Sequence, residues 1–234
     1  MNAEKPLLFV ALDGLRGKRR DTLDAVRDME PVNGNFGFKI NLDCFMDQGV
    51  KPAKYLISSS RPIFADTKTW NGKRTMTDIA KMLVDAGVDY FNVWVLADNQ
   101  LEGAIKATEG SKTKVLGVTV LTHYDDAYCM KYFRRPLKEM VVFLTRQAQE
   151  LGCHGVVLPG TCLPEVRYTS FIKAVPGIRT EEFEDDRHKQ EVTPEFAVEN
   201  EAKIIVCGSP IMKAVNKVAA LENILTRMGR KENG

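Results

Sequence analysis

The chain has 234 residues, of which 44% are hydrophobic and 27% charged, and its formal net charge is +2. This composition is typical of a soluble globular protein and excludes a mainly disordered chain. The near balance of acidic and basic residues also argues against a nucleic-acid-binding protein, whose surface would be strongly basic. The length suits one large domain with a buried core.

Cysteine usage and the first apolar run predict a cellular location. The five cysteines are far apart and form no Cys-x-x-Cys pair, so reduced thiols are expected rather than a disulfide framework. The run Leu7–Leu12 is too short for a signal peptide, and no stretch reaches the length of a membrane span. We expect a cytoplasmic protein that binds neither membranes nor nucleic acid.

Short apolar runs rich in β-branched residues alternate with stretches of helical periodicity. The predicted strands are Leu7–Leu12, Phe36–Leu42, Pro62–Lys68, Tyr90–Val95, Lys114–Leu121, Gly155–Leu158, Phe171–Val175 and Lys203–Cys207. The predicted helices are Asp21–Met29, Asp43–Gln48, Thr77–Ala86, Gln100–Thr108, Pro136–Leu151, Pro194–Glu199 and Ala214–Met228. Because helical crossovers make the strands parallel, we predict an α/β protein, a single-domain (β/α)8 TIM barrel over residues 1–234. An open doubly wound sheet is the alternative, but the turn after the first strand lacks a GxGxxG fingerprint.

Three charged residues interrupt strands that should be buried. Lys39 lies inside the second strand, and Asp66 and Lys68 lie two residues apart on the third, so that both point to one face. If that face is the barrel interior, Asp66 can lie between the two lysines and keep both protonated. A plain ion pair at a strand end is the simpler interpretation. Three charges meeting at one barrel mouth favour binding of an anionic substrate and protonation of a carbanion.

Two loops have features that suit a phosphate group. The eighth strand ends at Gly208-Ser209 before a helix, where backbone N–H groups and the helix N-terminus favour an anion, although a simple turn fits equally well. The loop after the seventh strand, residues 177–192, is long and highly charged, and is expected to be a mobile lid, although such clusters are more often a solvated surface.

Several segments together resemble the orotidine 5′-phosphate decarboxylase suprafamily. Asp66-Thr-Lys-Thr-Trp-Asn71 matches its DxKxxD motif except at the last position. The stretches Gly37-Phe-Lys-Ile, Val118-Thr-Val-Leu-Thr and Val175-Pro-Gly-Ile-Arg also fit, and their order and spacing cover nearly the whole chain. One stretch, Val95-Leu-Ala-Asp-Asn, is more similar to the hexulose- and ketogulonate-phosphate branches.

The resemblance implies decarboxylation of orotidine 5′-phosphate to UMP, in de novo pyrimidine biosynthesis, by a homodimer with shared active sites and no metal or other cofactor. Lys68 would donate the proton to C6, Asp66 would lie near the departing carboxylate, and Lys39 would hold the ribose and the charge array. Asn71 would complete the catalytic set and, with Thr75, would reach into the partner's site. The remaining substrate-binding residues implied are Asp13 at the ribose, Thr122 or His123 at the pyrimidine, Pro176 and Gly177 with the lid and its His188 or Gln190, and Gly208, Ser209 and Arg179 near the phosphate.

The chain departs from the family pattern at two positions. Asn71 stands where the motif has its last acid, so that the array lacks one negative charge. Ser209 stands where the family usually has an arginine on the phosphate, a contact worth about 1.5–3 kcal/mol. Lys213, Lys217 or Arg179 could supply the missing positive charge.

These departures leave alternatives open. The chain could be a divergent decarboxylase, a paralogue acting on another nucleotide or on a hexulose- or ketogulonate-type sugar phosphate, or a nucleotide-binding relative without catalysis. An Asp→Asn change introduced to trap a ligand is a further interpretation of Asn71, but the residues around it also differ from the family, which favours natural divergence.

Overall fold

The computed structural model describes residues 5–14, 17, 19–57, 60–166, 171–180 and 190–229. Within them, eight parallel strands form a closed barrel in chain order. The strands are β1 Leu7–Ala11, β2 Phe36–Asn41, β3 Ile63–Thr69, β4 Tyr90–Trp94, β5 Lys114–Val118, β6 Gly155–Val157, β7 Ile172–Val175 and β8 Ile204–Cys207. The α-helices are α1 Arg19–Met29, α2 Leu42–Gln48, α3 Lys51–Ile57, α4 Lys73–Asp85, α5 Leu101–Ala107, α6 Asp126–Phe133, α7 Leu137–Glu150, α8 Leu163–Val166, α9 Pro194–Glu199, α10 Ser209–Met212 and α11 Lys217–Gly229. Short 3₁₀ helices cover Val95–Gln100 and Gly160–Cys162.

The predicted TIM barrel is confirmed, and each of its eight strands lies where the apolar runs predict it. The prediction for β5 was too long, because that strand ends at Val118 rather than Leu121. Four short helices were not predicted: α3, α6, α8 and α10. One of them has a local signal, since the Asp125 carboxylate caps α6 by accepting a hydrogen bond from the Tyr128 N–H. No described helix combines the length and the apolar character needed to cross a membrane.

An aromatic layer closes the inside of the barrel. Phe9, Phe64 and Tyr90 meet edge to face, with ring centroids 5.5–6.5 Å apart. Gly37 makes room for this layer, because a Cβ there would lie 2.9 Å from the Phe9 ring and 2.2 Å from the Pro62 carbonyl oxygen. This layer therefore fills the barrel interior at its own level, and a ligand would bind above it, toward the carboxyl ends of the strands.

Strand register places the charged residues of the second and third strands on one face, in adjacent layers. Lys39 is paired with Ala11 on one side and Phe64 on the other, one layer below the Asn41–Asp66 pair. Residues paired across parallel strands point to the same face, so Lys39 and Asp66 both point into the barrel above the aromatic layer.

Candidate active site

A cavity of about 560 Å³ opens at the carboxyl ends of the strands. Its size lies within the range of small-molecule sites. Its apolar lining includes Phe64, Val118, Val157 and Val206. Eleven of the predicted site residues line it: Asp13, Lys39, Asp66, Lys68, Thr122, His123, Pro176, Gly177, Arg179, Gly208 and Ser209.

An ion-pair array lies at the base of the cavity. The Asp66 carboxylate accepts from Lys39 Nζ at 3.0 Å through Oδ2 and from Lys68 Nζ at 2.5 Å through Oδ1. Lys39 Nζ also lies 3.5 Å from Asp13 Oδ1. The side chains of Lys39 and Asp66 are buried, at 7% and 11% exposure, whereas Lys68 is 35% exposed and faces the open cavity. The sequence prediction that Asp66 lies between two lysines describes this geometry.

Burial and charge act in opposite directions on the array. Burial alone would raise the pKa of Asp66, but the charges of Lys39 and Lys68 outweigh it and hold that pKa well below its usual range. Burial likewise favours neutral Lys39, yet the charges of Asp66 and Asp13 outweigh burial and raise the pKa of Lys39. Both groups are therefore charged at neutral pH, and Lys39 remains a cation although it is almost fully buried.

Two asparagines that the sequence analysis did not single out complete the array. Asn41 accepts from Lys39 Nζ and donates to Asp13 Oδ1 at 2.7 Å. Asn92, which is fully buried, donates to Asp66 Oδ1 at 2.7 Å. A neutral amide in a strand gives no charge signal, but an inward-facing polar residue in a buried strand is itself a detectable anomaly.

Three predicted site residues do not line this cavity. Asn71 lies on the exposed turn after β3, where its side-chain oxygen accepts from the Gly72 N–H at 2.8 Å. Thr75 lies in the first turn of α4. The structure thus places both outside the cavity of their own chain, and the role across a dimer stays a prediction. His188 lies outside the described residues.

The opposite side of the cavity is formed by the loops after β7 and β8. Arg179 is 8% exposed and lines the cavity together with Gly208 and Ser209. Of the other two candidate cations, Lys213 lines a separate cavity and Lys217 begins α11. The helix after Gly208 is a single turn, so the expected contribution of a longer helix N-terminus is not available there.

The end of the predicted lid is attached to the barrel. Val192 forms a parallel bridge with Ile178, and its carbonyl oxygen accepts from the Arg179 N–H at 3.0 Å. The side-chain oxygen of Gln190 accepts from the Thr161 hydroxyl at 2.5 Å, and its side-chain nitrogen donates to the Tyr124 carbonyl oxygen at 3.3 Å. Residues 181–189 of the predicted lid lie outside the described residues, so its mobility stays a prediction.

Across the described part of the chain, no three His, Cys, Asp or Glu side chains are grouped as a metal site would require. The five cysteines are buried and free. Burial raises the pKa of the Cys153 thiol to about 12, so that this thiol is not a nucleophile at neutral pH.

A closed parallel barrel with a charged, partly buried cavity at the carboxyl ends of its strands defines the class of TIM-barrel enzymes. Comparison with known proteins narrows the class. Residues 6–224 match the Orotidine 5′-phosphate decarboxylase / HUMPS family, and the chain therefore belongs to that family.

Individual relatives match over most of their length. An orotidine 5′-phosphate decarboxylase from Carboxydothermus hydrogenoformans is 29% identical over 94% of this chain and 95% of its own. The enzyme of that name from Methylacidiphilum infernorum is 30% identical over 82% of this chain and 85% of its own. The crystal structure of orotidine 5′-phosphate decarboxylase from Lactobacillus acidophilus superposes with a TM-score of 0.79 and 26% identity, covering 97% of this chain and all of the other.

Proposed function

We propose that this protein is a carboxy-lyase that converts orotidine 5′-phosphate to UMP and CO2 in pyrimidine biosynthesis. The observation that carries the proposal is the Lys39–Asp66–Lys68 array at the base of the cavity. Membership of the decarboxylase family and relatives of that name over most of the chain support it.

The chemistry needs one proton and no redox partner. The bond between C6 of the pyrimidine and its carboxylate breaks, CO2 leaves, and the electron pair stays on C6. The Lys68 ammonium then donates a proton to C6, which gives UMP and a neutral amine that regains its proton from solvent. Lys68 suits this role because its Nζ faces the cavity while Asp66 holds it at 2.5 Å.

Asp66 also faces the substrate. It is 11% exposed and stays ionised because of its two lysine partners. A substrate carboxylate next to it would be repelled before the bond breaks, whereas neutral CO2 would not. Lys39 and Asp13 lie on the other side of the array, where they would hold the ribose hydroxyls.

The phosphate would bind on the side of the cavity formed by the loops after β7 and β8. We assign its charge partner to Arg179, because this buried residue lines the cavity beside Gly208 and Ser209. Its Nε is paired with Glu191 Oε1 at 2.9 Å, and the phosphate would compete with that carboxylate. Arg179 would thereby take over from the arginine that the resemblance expects at position 209. Pro176 and Gly177 line the same side, and Thr122 and His123 line the part of the cavity assigned to the pyrimidine.

The proposal includes a cytoplasmic homodimer in which Asn71 and Thr75 extend into the partner's cavity. The support is their position: neither lines the cavity of its own chain, and Trp70 beside them is 58% exposed. Sedimentation should therefore give twice the mass of the 26.2 kDa chain.

The test follows the loss of orotate absorbance with purified protein and orotidine 5′-phosphate. Wild type should turn over, Lys68→Ala should not, and both should bind UMP. Lys81→Ala is the matched control, because Lys81 is an exposed lysine on α4 away from the cavity. Tight UMP binding without turnover by wild type would refute the proposal in favour of a nucleotide-binding protein. Turnover of a sugar phosphate but not of orotidine 5′-phosphate would refute it in favour of another branch of the family.

A further inference from the structure

The register between β3 and β4 is irregular beside the ion-pair array. Ala65 is paired with Phe91 and Thr69 with Val93, so that three residues of β3 lie opposite the single residue Asn92. At this irregularity the Lys68 backbone has a φ of 43°, in the left-handed region that side chains other than glycine rarely adopt. The side chains of Asp66 and Lys68 both line the cavity at this irregularity.

Asn92 provides a hydrogen bond to each of the three residues opposite it. Its side-chain amide donates to Asp66 Oδ1 at 2.7 Å, and its side-chain oxygen accepts from the Lys68 N–H at 2.7 Å. Its backbone carbonyl accepts from Thr67 Oγ1, also at 2.7 Å. Asn92 is 0% exposed, so water cannot replace these bonds.

The two side-chain bonds require an amide. Lys68 needs an acceptor for its N–H, because the irregular register removes the usual partner on β4, and Asp66 needs a donor. A carboxylate offers only acceptors, and an aliphatic side chain offers neither group. With Asn92 on Oδ1 together with Lys68, the other carboxylate oxygen of Asp66 is left for Lys39.

We propose that Asn92 is a positioning residue for the decarboxylation. Its amide fixes the orientation of the Asp66 carboxylate and the backbone of Lys68, and so places the proton donor over C6. The inference takes the reaction from the proposed function. It takes the positioning role of Asn92 from the geometry of β3 and β4.

The charged and titratable side chains that surround the Asn92–Asp66 hydrogen bond come from several strands and loops. Lys39 from β2 and Lys68 from β3 are paired with Asp66, and Asp13, just after β1, is paired with Lys39. His123 and Arg179 line the far side of the same cavity, and Asp43 lines its rim. None of these changes between the variants below, so differences in pH dependence report on position 92.

The informative variant is Asn92→Asp. Deprotonated, the new carboxyl has no donor for Asp66 and repels it; protonated, it restores the donor. Two carboxyls this close share a proton, so that the apparent pKa of the pair lies above the ordinary carboxyl value. The ratio of variant to wild-type kcat should therefore fall at least about tenfold from about pH 5 to about pH 8. Asn92→Leu should lower kcat about 10- to 100-fold at every pH. UMP affinity should change less than about threefold in both variants, because Asn92 acts through Asp66 and Lys68.

The control is Asn200→Asp, because among the described residues the Asn200 side chain bonds within its own helix end, to the Phe196 carbonyl oxygen at 2.9 Å. Its ratio to wild type should be independent of pH. A pH-independent ratio for Asn92→Asp, or full activity of a folded Asn92→Leu, would overturn the role of Asn92. If Asn92→Leu does not fold, Asn92→Asp alone decides.

The proposed function and the positioning role fail in different ways. Absence of wild-type turnover would refute the former. The positioning role can be measured without turnover, from the carbon-13 resonance of the Asp66 carboxyl. Its titration should move to higher pH in Asn92→Leu. An unchanged titration would overturn the hydrogen bond on which the role depends.

Discussion

Replacing Asp66 by Asn tests the central claim that Lys39 is held as a buried cation by its carboxylate partner. The substitution preserves the shape of the side chain and removes only its charge. Lys39, 7% exposed, would keep Asp13 at 3.5 Å, but the Asp13 side chain is 54% exposed and mostly solvated. We expect a clear loss of stability even though no cavity is created.

The expected size follows from two estimates that agree. At 3.0 Å the Lys39–Asp66 attraction is about 5.5 kcal/mol for an effective dielectric constant of about 20, and breaking a buried pair by removing one partner costs about 3–5 kcal/mol. Lys39 can avoid part of this cost by losing its proton. From an unfolded pKa of about 10.4, that limits the cost to about 4.6 kcal/mol at about pH 7. The free energy of unfolding should therefore fall by about 3–4.5 kcal/mol.

The same reasoning gives the sign of the pH dependence. In the variant, the folded-state pKa of Lys39 drops below its unfolded value, so between the two values the unfolded chain binds more protons and stability increases with pH. In wild type the pKa of Lys39 is raised, so its contribution is present below the unfolded pKa and is lost only as pH rises through the still higher folded value. The difference between the two proteins should shrink to about 1 kcal/mol at about pH 9.5.

Urea unfolding, followed by circular dichroism at both pH values, measures this difference. The matched control is Asp24→Asn, which breaks an exposed pair with Arg27 at 2.9 Å and should leave the free energy of unfolding nearly unchanged at either pH. A loss below about 1 kcal/mol for Asp66→Asn, or a loss that does not depend on pH, would show that Lys39 is not held as a buried cation.

Three further predictions concern other parts of the molecule. Arg179→Met should weaken UMP binding about 10-fold or more while leaving uridine binding unchanged, as isothermal titration would show; equal losses for both ligands would contradict the phosphate assignment. Gly160→Ala should lower the free energy of unfolding by about 1–3 kcal/mol, because a Cβ there would lie 2.3 Å from a Val192 methyl, whereas Gly17→Ala, with nothing within 4 Å, should be neutral in the same urea experiment. Finally, Cys153 should not react with a thiol reagent at about pH 8 in the native protein, but should react in urea; labelling of the native protein at Cys153 would contradict its burial.

The barrel was predictable because each strand is a short apolar run. Strands that are buried on both faces consist almost entirely of apolar residues. Helix ends were less predictable. α6 mixes polar, aromatic and apolar residues over only eight positions, and its best signal is a capping carboxylate at Asp125. β5 ends three residues before its apolar run does, because after Val118 the chain turns away from the sheet although Val120 stays buried.

The residues of the candidate site likewise fall into some that the sequence predicts and some that it does not. Lys39, Asp66 and Lys68 were found because charge in a buried strand is costly and therefore conspicuous. Asn41 and Asn92 were missed because an amide carries no charge, and the importance of Asn92 depends on an irregular register that no local pattern encodes. The choice of Arg179 over Lys213 and Lys217 required three-dimensional proximity, since all three follow glycine-containing strand ends.

The distribution of the candidate site residues along the chain has a consequence for how this barrel could change over evolutionary time. The ion array and its two amides come from the first four strands, between Asp13 and Asn92, whereas Arg179 and Ser209 come from the last two. A recombination event in the α5 region would therefore exchange the whole ion-pair array and leave intact the side of the cavity where we propose that the phosphate binds. The first half would then carry the proposed proton donor, whereas the second half would carry the residues proposed for the pyrimidine and the phosphate, so that a change of reaction and a change of base would arise in different halves of the barrel.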